Sequence, residues 1–223
     1  MKKLATILAS VMLLVSATTS SYADLKYGFS GMVGGVFTDG TESEKTGAGD
    51  KEQHAESEGE LFAGASIFVE KDFGNSWAFG IDWVPIDADL GSGSRIDTNS
   101  VGGSTSCDPA GVTCGTMTAS AKLENLITYY ITKTSDTGMY MLAGLHTAKL
   151  TTSETLPTSN YGDEDIFGGQ IGFGIVRAAG NGEMRYQISY SDFESVTLNS
   201  TNDGTQRVEG EADAVLFKMS YAF

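Results

Sequence analysis

The sequence predicts an all-β fold: a closed, antiparallel, up-and-down transmembrane β-barrel of eight strands. Three observations predict it. Eight segments alternate a large apolar row with a mixed row of glycine, small polar and charged residues. Short glycine-bearing connections alternate with long ones along the chain. Beyond the N-terminal segment, no stretch approaches the roughly 20 apolar residues of a membrane-spanning helix. Alternate strand residues point to opposite faces, so each segment carries one greasy face. Lipid cannot satisfy open strand edges, so strands that cross it must close into a barrel.

The chain opens on Met1-Lys2-Lys3, followed by an apolar run from Leu4 to Val15 interrupted by Thr6 and Ser10. Ser21-Tyr22-Ala23 offers small residues at cleavage positions. Residues 1–23 therefore read as a secretory signal peptide, too short to anchor the chain. Residues 24–223 (223 less 23, or 200 residues) suit one barrel domain.

Each strand follows in order. The first, Leu25 to Phe37, sets Leu25, Tyr27, Phe29 and Val33 against Lys26, Gly28, Ser30 and Met32. The second, Glu60 to Glu70, turns Leu61, Ala63, Ala65, Ile67 and Val69 outward. The third, Ser76 to Ile86, shows Trp77, Phe79, Ile81 and Trp83 against Asp82. The fourth, Thr118 to Thr132, sets Leu123, Ile127, Tyr129 and Ile131 outward, with Lys122, Glu124, Leu126 and Thr128 inward. In the fifth, Met139 to Leu150, alternation leaves the phase ambiguous; the preferred phase sets Met139, Met141, Ala143 and Leu145 outward and sends Gly144 and His146 inward. The sixth, Ile166 to Arg177, and the seventh, Glu183 to Phe193, turn Phe173, Ile175, Tyr186 and Ile188 outward. The eighth, Glu209 to Phe223, carries the row Val215, Phe217, Met219, Tyr221 and Phe223.

Tight turns are expected at Lys71 to Asn75, Lys133 to Gly138, and Gly180-Asn181-Gly182. Long connections are expected at Thr38 to Gly59, Asp87 to Met117, Thr151 to Asp165 and Glu194 to Val208. A further hairpin within Asp87 to Met117 would raise the count to ten strands. Aromatic belts are expected at both rims, with Phe73, Trp77, Tyr129, Tyr186, Tyr221 and Phe223 near the turns and Phe37, Trp83, Tyr190 and Phe193 toward the loops. A soluble lipocalin-like barrel would put the apolar row inside and leave the charged row to water.

The inward row predicts an interior charge cluster of Lys26, Glu70, Asp82, Glu124, Arg185 and Lys218. An eight-stranded barrel is just wide enough for side chains to fill it, and buried charges must pair. A packed ionic plug is expected, or a gate if ion-pair partners exchange. The formal charge of -15 becomes about -17 without Lys2 and Lys3, which excludes nucleic acid as a partner. Acids crowd Asp39 to Glu60 and Gly162 to Asp165; without an EF-hand spacing they read as solvated surface. Cys107 and Cys114 are expected to form a disulfide pinching a surface loop, because an exported chain meets oxidising conditions. Such a closure is worth roughly 2–3 kcal/mol.

Catalytic signals are weak. The histidines are His54, in an acidic stretch, and His146. Neither a Gly-x-Ser-x-Gly elbow nor a His-Glu-x-x-His motif occurs. The glycine runs Gly28 to Gly35 and Gly168 to Gly174 lack a following helix, so they do not read as nucleotide loops. No catalytic residue, metal site or cofactor is expected.

Strand alternation ending on Phe223 resembles the closing strand of bacterial outer-membrane barrels, and the whole mature chain is similar to the small eight-stranded members. These are the transmembrane domain of outer membrane protein A, the X-type proteins and the opacity-like surface proteins. The resemblance implies a Gram-negative outer membrane, with lipid and lipopolysaccharide around a monomer. It implies that Val215, Phe217, Met219, Tyr221 and Phe223 are read by the barrel-assembly machinery, with periplasmic chaperones as further partners in biogenesis. It also implies a non-enzymatic surface role in envelope integrity, and in adhesion or recognition through acidic loops. A narrow porin gated by the charge cluster is the second reading. A lipid-modifying enzyme is the third: His146-Thr147-Ala148 departs from the His-x-Ser pattern of the similar-sized deacylase barrels. No peptidoglycan-binding domain is expected after the barrel.

Overall fold

The alternating rows close a single sheet on itself. The computed structural model describes residues 25–46, 50–97, 115–155, 160–201 and 206–223. The expected signal peptide and the Cys107–Cys114 pair lie outside these residues. Among the described residues there are nine strands: β1 (Leu25–Thr46), β2 (Asp50–Asp72), β3 (Trp77–Val84), β4 (Ala88–Asp97), β5 (Gly115–Thr134), β6 (Met139–Glu154), β7 (Glu164–Ala179), β8 (Gly182–Asn199) and β9 (Gln206–Ala222). The sheet order is β3-β2-β1-β9-β8-β7-β6-β5-β4, and a β3–β5 pairing completes the ring. Both β3 and β4 run along β5, with Val84 opposite Leu126 and Ala88 opposite Leu123. They are one stave interrupted at Pro85-Ile86-Asp87, where proline offers no N–H to a ladder. The ring therefore has eight staves, as expected.

The lipid face is an apolar band. Phe29, Val33, Ile67, Met141, Phe173 and Phe217 all stand exposed on the outer wall. Outside a membrane such a surface would be far larger than soluble proteins tolerate. Its upper rim is marked by the exposed acids Asp39, Asp87, Asp165 and Asp192. The closed ring with this band is a transmembrane barrel of the outer-membrane type.

Both ends of the wall are tied at the opposite rim. The Phe223 N–H donates to Tyr27 O at 2.9 Å. The rings of Tyr27 and Phe223 stack at 5.5 Å, and Tyr221 meets Phe223 edge-on at 4.9 Å. The three tight turns lie where expected. In the first, Asp72 accepts the Gly74 N–H at 2.7 Å, and Gly74 and Asn75 take φ of 78° and 52°. These left-handed angles suit Gly and Asn.

Three expectations are corrected. The supposed long connections are largely strand: β1 and β2 pair out to Thr46 opposite Asp50. At 22 and 23 residues these strands are about twice the 9–11 needed to cross lipid. Beyond the rim water bathes both faces, so pairing continues without hydrophobic alternation. Second, the phase of β5 changes at Asn125, which has a φ of 54° inside a register shift. This bulge turns Leu123 into the core and Glu124 to the opposite face. Third, Phe193 joins no belt: it is buried inside the barrel, at the odd position that alternation from Tyr190 sends inward.

The interior has two halves. Toward the turns it is polar, and toward the outer rim it is an apolar core including Val36, Leu90, Leu123, Leu150, Ile166 and Phe193. Gly80 is the space for one large ring, since a Cβ there would strike the Tyr130 side chain.

Two outcomes are expected. Unheated folded protein should run ahead of the boiled form on a denaturing gel; identical mobility would contradict a closed barrel. Gly80→Val should lower the urea midpoint by an amount equivalent to about 1–3 kcal/mol, the cost of overpacking.

Candidate functional site

Inward-facing charges from five staves meet in the turn-side half of the lumen. Arg185 on β8 grips Glu70 on β2 in a bidentate pair, with both N–O distances 2.8 Å. Arg185 also reaches Glu183 at 3.3 Å, and Lys26 on β1 donates to Glu183 at 2.9 Å. The Tyr130 hydroxyl donates to Glu70 at 3.2 Å, and the guanidinium lies 5.7 Å from the Phe68 ring centre. Lys218 on β9 pairs with Asp82 on β3. Three cations (Lys26, Arg185, Lys218) thus face three anions (Glu70, Asp82, Glu183), and the formal charges cancel. Glu70 is only 3% exposed and Asp82 5%, so each depends on its cationic partner to offset the desolvation cost of burial. A residual cavity of about 20 Å³ lies among these groups, room for one or two waters. Asp82 Oδ1 and Arg185 Nε have no protein partner beside it.

Five of the six predicted cluster residues come together: Lys26, Glu70, Asp82, Arg185 and Lys218. Glu124 does not. The Asn125 bulge carries it out of the lumen, where its carboxylate accepts the Thr151 hydroxyl at 3.0 Å. Glu183 takes the missing acid's place. Its signal was present, since it shares the inward parity of Arg185 and Gln187. The row Val215, Phe217, Met219 and Phe223 faces outward, each 45–54% exposed.

Above the plug sits His146, 2% exposed. Its Nδ1 is 2.8 Å from Thr128 Oγ1, its Nε2 is 2.9 Å from Ser191 Oγ, and its ring stacks on Phe193 at 5.4 Å. No acid completes a triad with this pair among the hydrogen bonds of the described residues. Sequence spacing could not reveal it, because Thr128, His146 and Ser191 come from three staves. His54 lies on β2 opposite Glu42, far along the projecting hairpin. Among the described residues, no three His, Cys, Asp or Glu groups are placed to hold a metal ion.

The outer half of the lumen differs in kind. A hollow of about 40 Å³ is lined by Val36, Phe62, Val84, Ile86 and other apolar side chains, and among the described residues Ser191 is the one polar side chain on its wall. The seal below is therefore ionic and the space above it is greasy.

No family model matches the chain, and neither does any curated protein sequence. Solved structures do. Ail, the attachment invasion locus protein of Yersinia pestis, in complex with a heparin analogue, is 12% identical, with 90% of this chain and 99% of that one covered and a TM-score of 0.40. The outer membrane protein OprG from Pseudomonas aeruginosa is 11% identical over 87% and 95% of the two chains, with a TM-score of 0.43. The outer membrane protease OmpT from Escherichia coli is 9% identical over 93% and 100%, with a TM-score of 0.42. At such scores the barrel assignment rests on this chain's own closed ladder and lipid band.

Removing one side of the bidentate pair strands a buried charge. Arg185→Ala should cost about 3–5 kcal/mol in urea unfolding. The double variant Arg185→Met with Glu70→Gln should recover much of that loss, and an additive double variant would deny the coupling.

Proposed function

We propose that this protein is a non-enzymatic surface barrel of the outer membrane with a closed lumen. The carrying observation is the neutral ion-pair plug, centred on the bidentate Arg185–Glu70 contact that ties β8 to β2 past the intervening β1 and β9. A diffusion pore needs a continuous polar path. Here the plug blocks the turn side and an apolar core fills the outer side. The barrel then serves as a rigid mount for hairpins that stand beyond the lipid. Their acids suit recognition of cationic surfaces, or bridging by divalent cations to lipopolysaccharide, and so a part in envelope integrity and adhesion. In the same reading the protein acts as a monomer. Periplasmic chaperones and the assembly machinery handle it during biogenesis, with the Val215 to Phe223 row as the assembly signal.

A narrow channel is the second reading, favoured by the unpartnered Asp82 Oδ1 and Arg185 Nε beside the small polar cavity. Those atoms are the plug's weakest point. Planar-bilayer recording separates the two. The closed barrel is expected to give no sustained conductance steps, and Glu70→Ala with Arg185→Ala should still give none, because the apolar core of the outer half stays in place. Sustained steps from the unaltered protein would replace this reading with the channel. An unchanged lipid A profile is expected on expressing the protein or its His146→Ala variant.

A further inference from the structure

The wall is not paired over its whole height. β2 pairs with β3 only from Ile67 to Asp72, opposite Trp83 to Ala78. From Ser66 to Asp50 it pairs with β1, and no ladder joins it to β4. β4 in turn is laddered to β5 alone. A seam therefore runs outward from the Pro85-Ile86-Asp87 interruption. Its lower end lies within the lipid band, because Leu61, opposite Gly35, and Ile67, opposite Phe29, are both exposed apolar residues.

Behind this seam lies the apolar hollow. Ile86 belongs to both, being 46% exposed at the break and part of the hollow's lining. Phe62 lines it from the β2 side, and Val84, Ala88 and Leu90 from the other. Its 40 Å³ equals three or four water-sized groups, which suits the end of one unbranched alkyl chain and excludes an aromatic ring system. Below it the plug leaves no onward route. The lips of the seam carry acids: Glu58 and Glu60 on β2, Asp87 and Asp89 on the facing side. Asp89 is engaged by Lys122 at 3.4 Å, and a Cβ on Gly91 would meet the Glu58 carboxylate, so that side chain reaches across the gap.

We propose that the outer half of the barrel is a blind cup for the alkyl tail of a single-chain amphiphile with a cationic head, which enters sideways through the seam between β2 and β4. The tail end fills the hollow above Ser191, and the rest of the chain passes out through the seam. The head rests among the lip acids and the strand edges that no ladder pairs, where the Leu90 carbonyl already accepts the Thr38 hydroxyl at 3.3 Å and its neighbours are left to polar partners at that level. The site goes beyond the surface role proposed above. It holds a ligand without conducting it.

Alkylation at the hollow's floor tests this. Ser191→Cys is placed in a Cys107→Ser, Cys114→Ser background, with the barrel in lipid nanodiscs and its folding verified by the heat-dependent gel shift. Neutral propyl methanethiosulfonate and bilayer-delivered decyl methanethiosulfonate should both modify the thiol, and a charged trimethylammonium reagent should not. Ala214 lies directly opposite Ser191 across β8 and β9. Ala214→Leu should slow modification by about tenfold or more, and Leu90→Ala should speed it. Decylamine should protect better than decanol, and decanol better than decanoate. Failure of both alkyl reagents would overturn the cup. Reaction of the propyl reagent but not the decyl one would overturn sideways entry. Equal or better protection by decanoate would overturn the cationic head. Conductance is silent on all three, so the plug reading fails or stands separately.

Discussion

A peptide group in hydrocarbon finds no water, so the wall must satisfy its own N–H and C=O groups all the way round. This requirement makes β1 meet β9 and β3 meet β5, and every other feature depends on that ring. Once eight staves close, the lumen has a fixed, narrow width and half of each strand's side chains must share it. Glycines such as Gly80 then become room for Tyr130 rather than flexibility. Ion pairs such as Arg185–Glu70 become ties between staves that are not neighbours in the wall.

The same closure divides the interior. Near the turns the inward positions hold Lys26, Glu70, Asp82, Glu183, Arg185 and Lys218, and their mutual neutrality removes the electrostatic reason for ions to enter. Nearer the outer rim the inward positions become Val36, Leu90, Leu123, Ile166 and Phe193. His146 sits at the boundary, polar on both nitrogens and stacked on Phe193. A lumen built this way is sealed twice, by opposite physics. The wall can therefore relax its pairing between β2 and β4 without opening a path through the membrane.

Much of this was legible in the alternation. Five charges of the plug followed from parity, whereas the outward Met139, Met141 and Leu145 needed a choice between two phases, made by sending Gly144 and His146 inward. Parity fails where the backbone inserts a residue. Nothing about Asn125 in isolation announces a bulge, and the one-residue slip sent Leu123 inward and Glu124 out. The projecting hairpins were hidden for another reason. From Thr38 to Gly59 the alternating apolar row is missing, so nothing in the hydrophobic pattern marks a backbone that stays paired. The apolar hollow and the Thr128–His146–Ser191 contact were beyond reach, because each is assembled from staves whose order around the ring says nothing about height.

The two-part interior also gives the barrel two opposed responses to temperature. Burial of apolar surface contributes less as water cools, whereas the desolvation cost of buried ion pairs falls as it warms. The half around Leu90, Leu123 and Phe193 is therefore the part that loosens in the cold. The half around Arg185 and Glu70 holds best in heat. A single chain thus carries its cold-sensitive layer toward the projecting hairpins and its heat-resistant layer toward the tight turns.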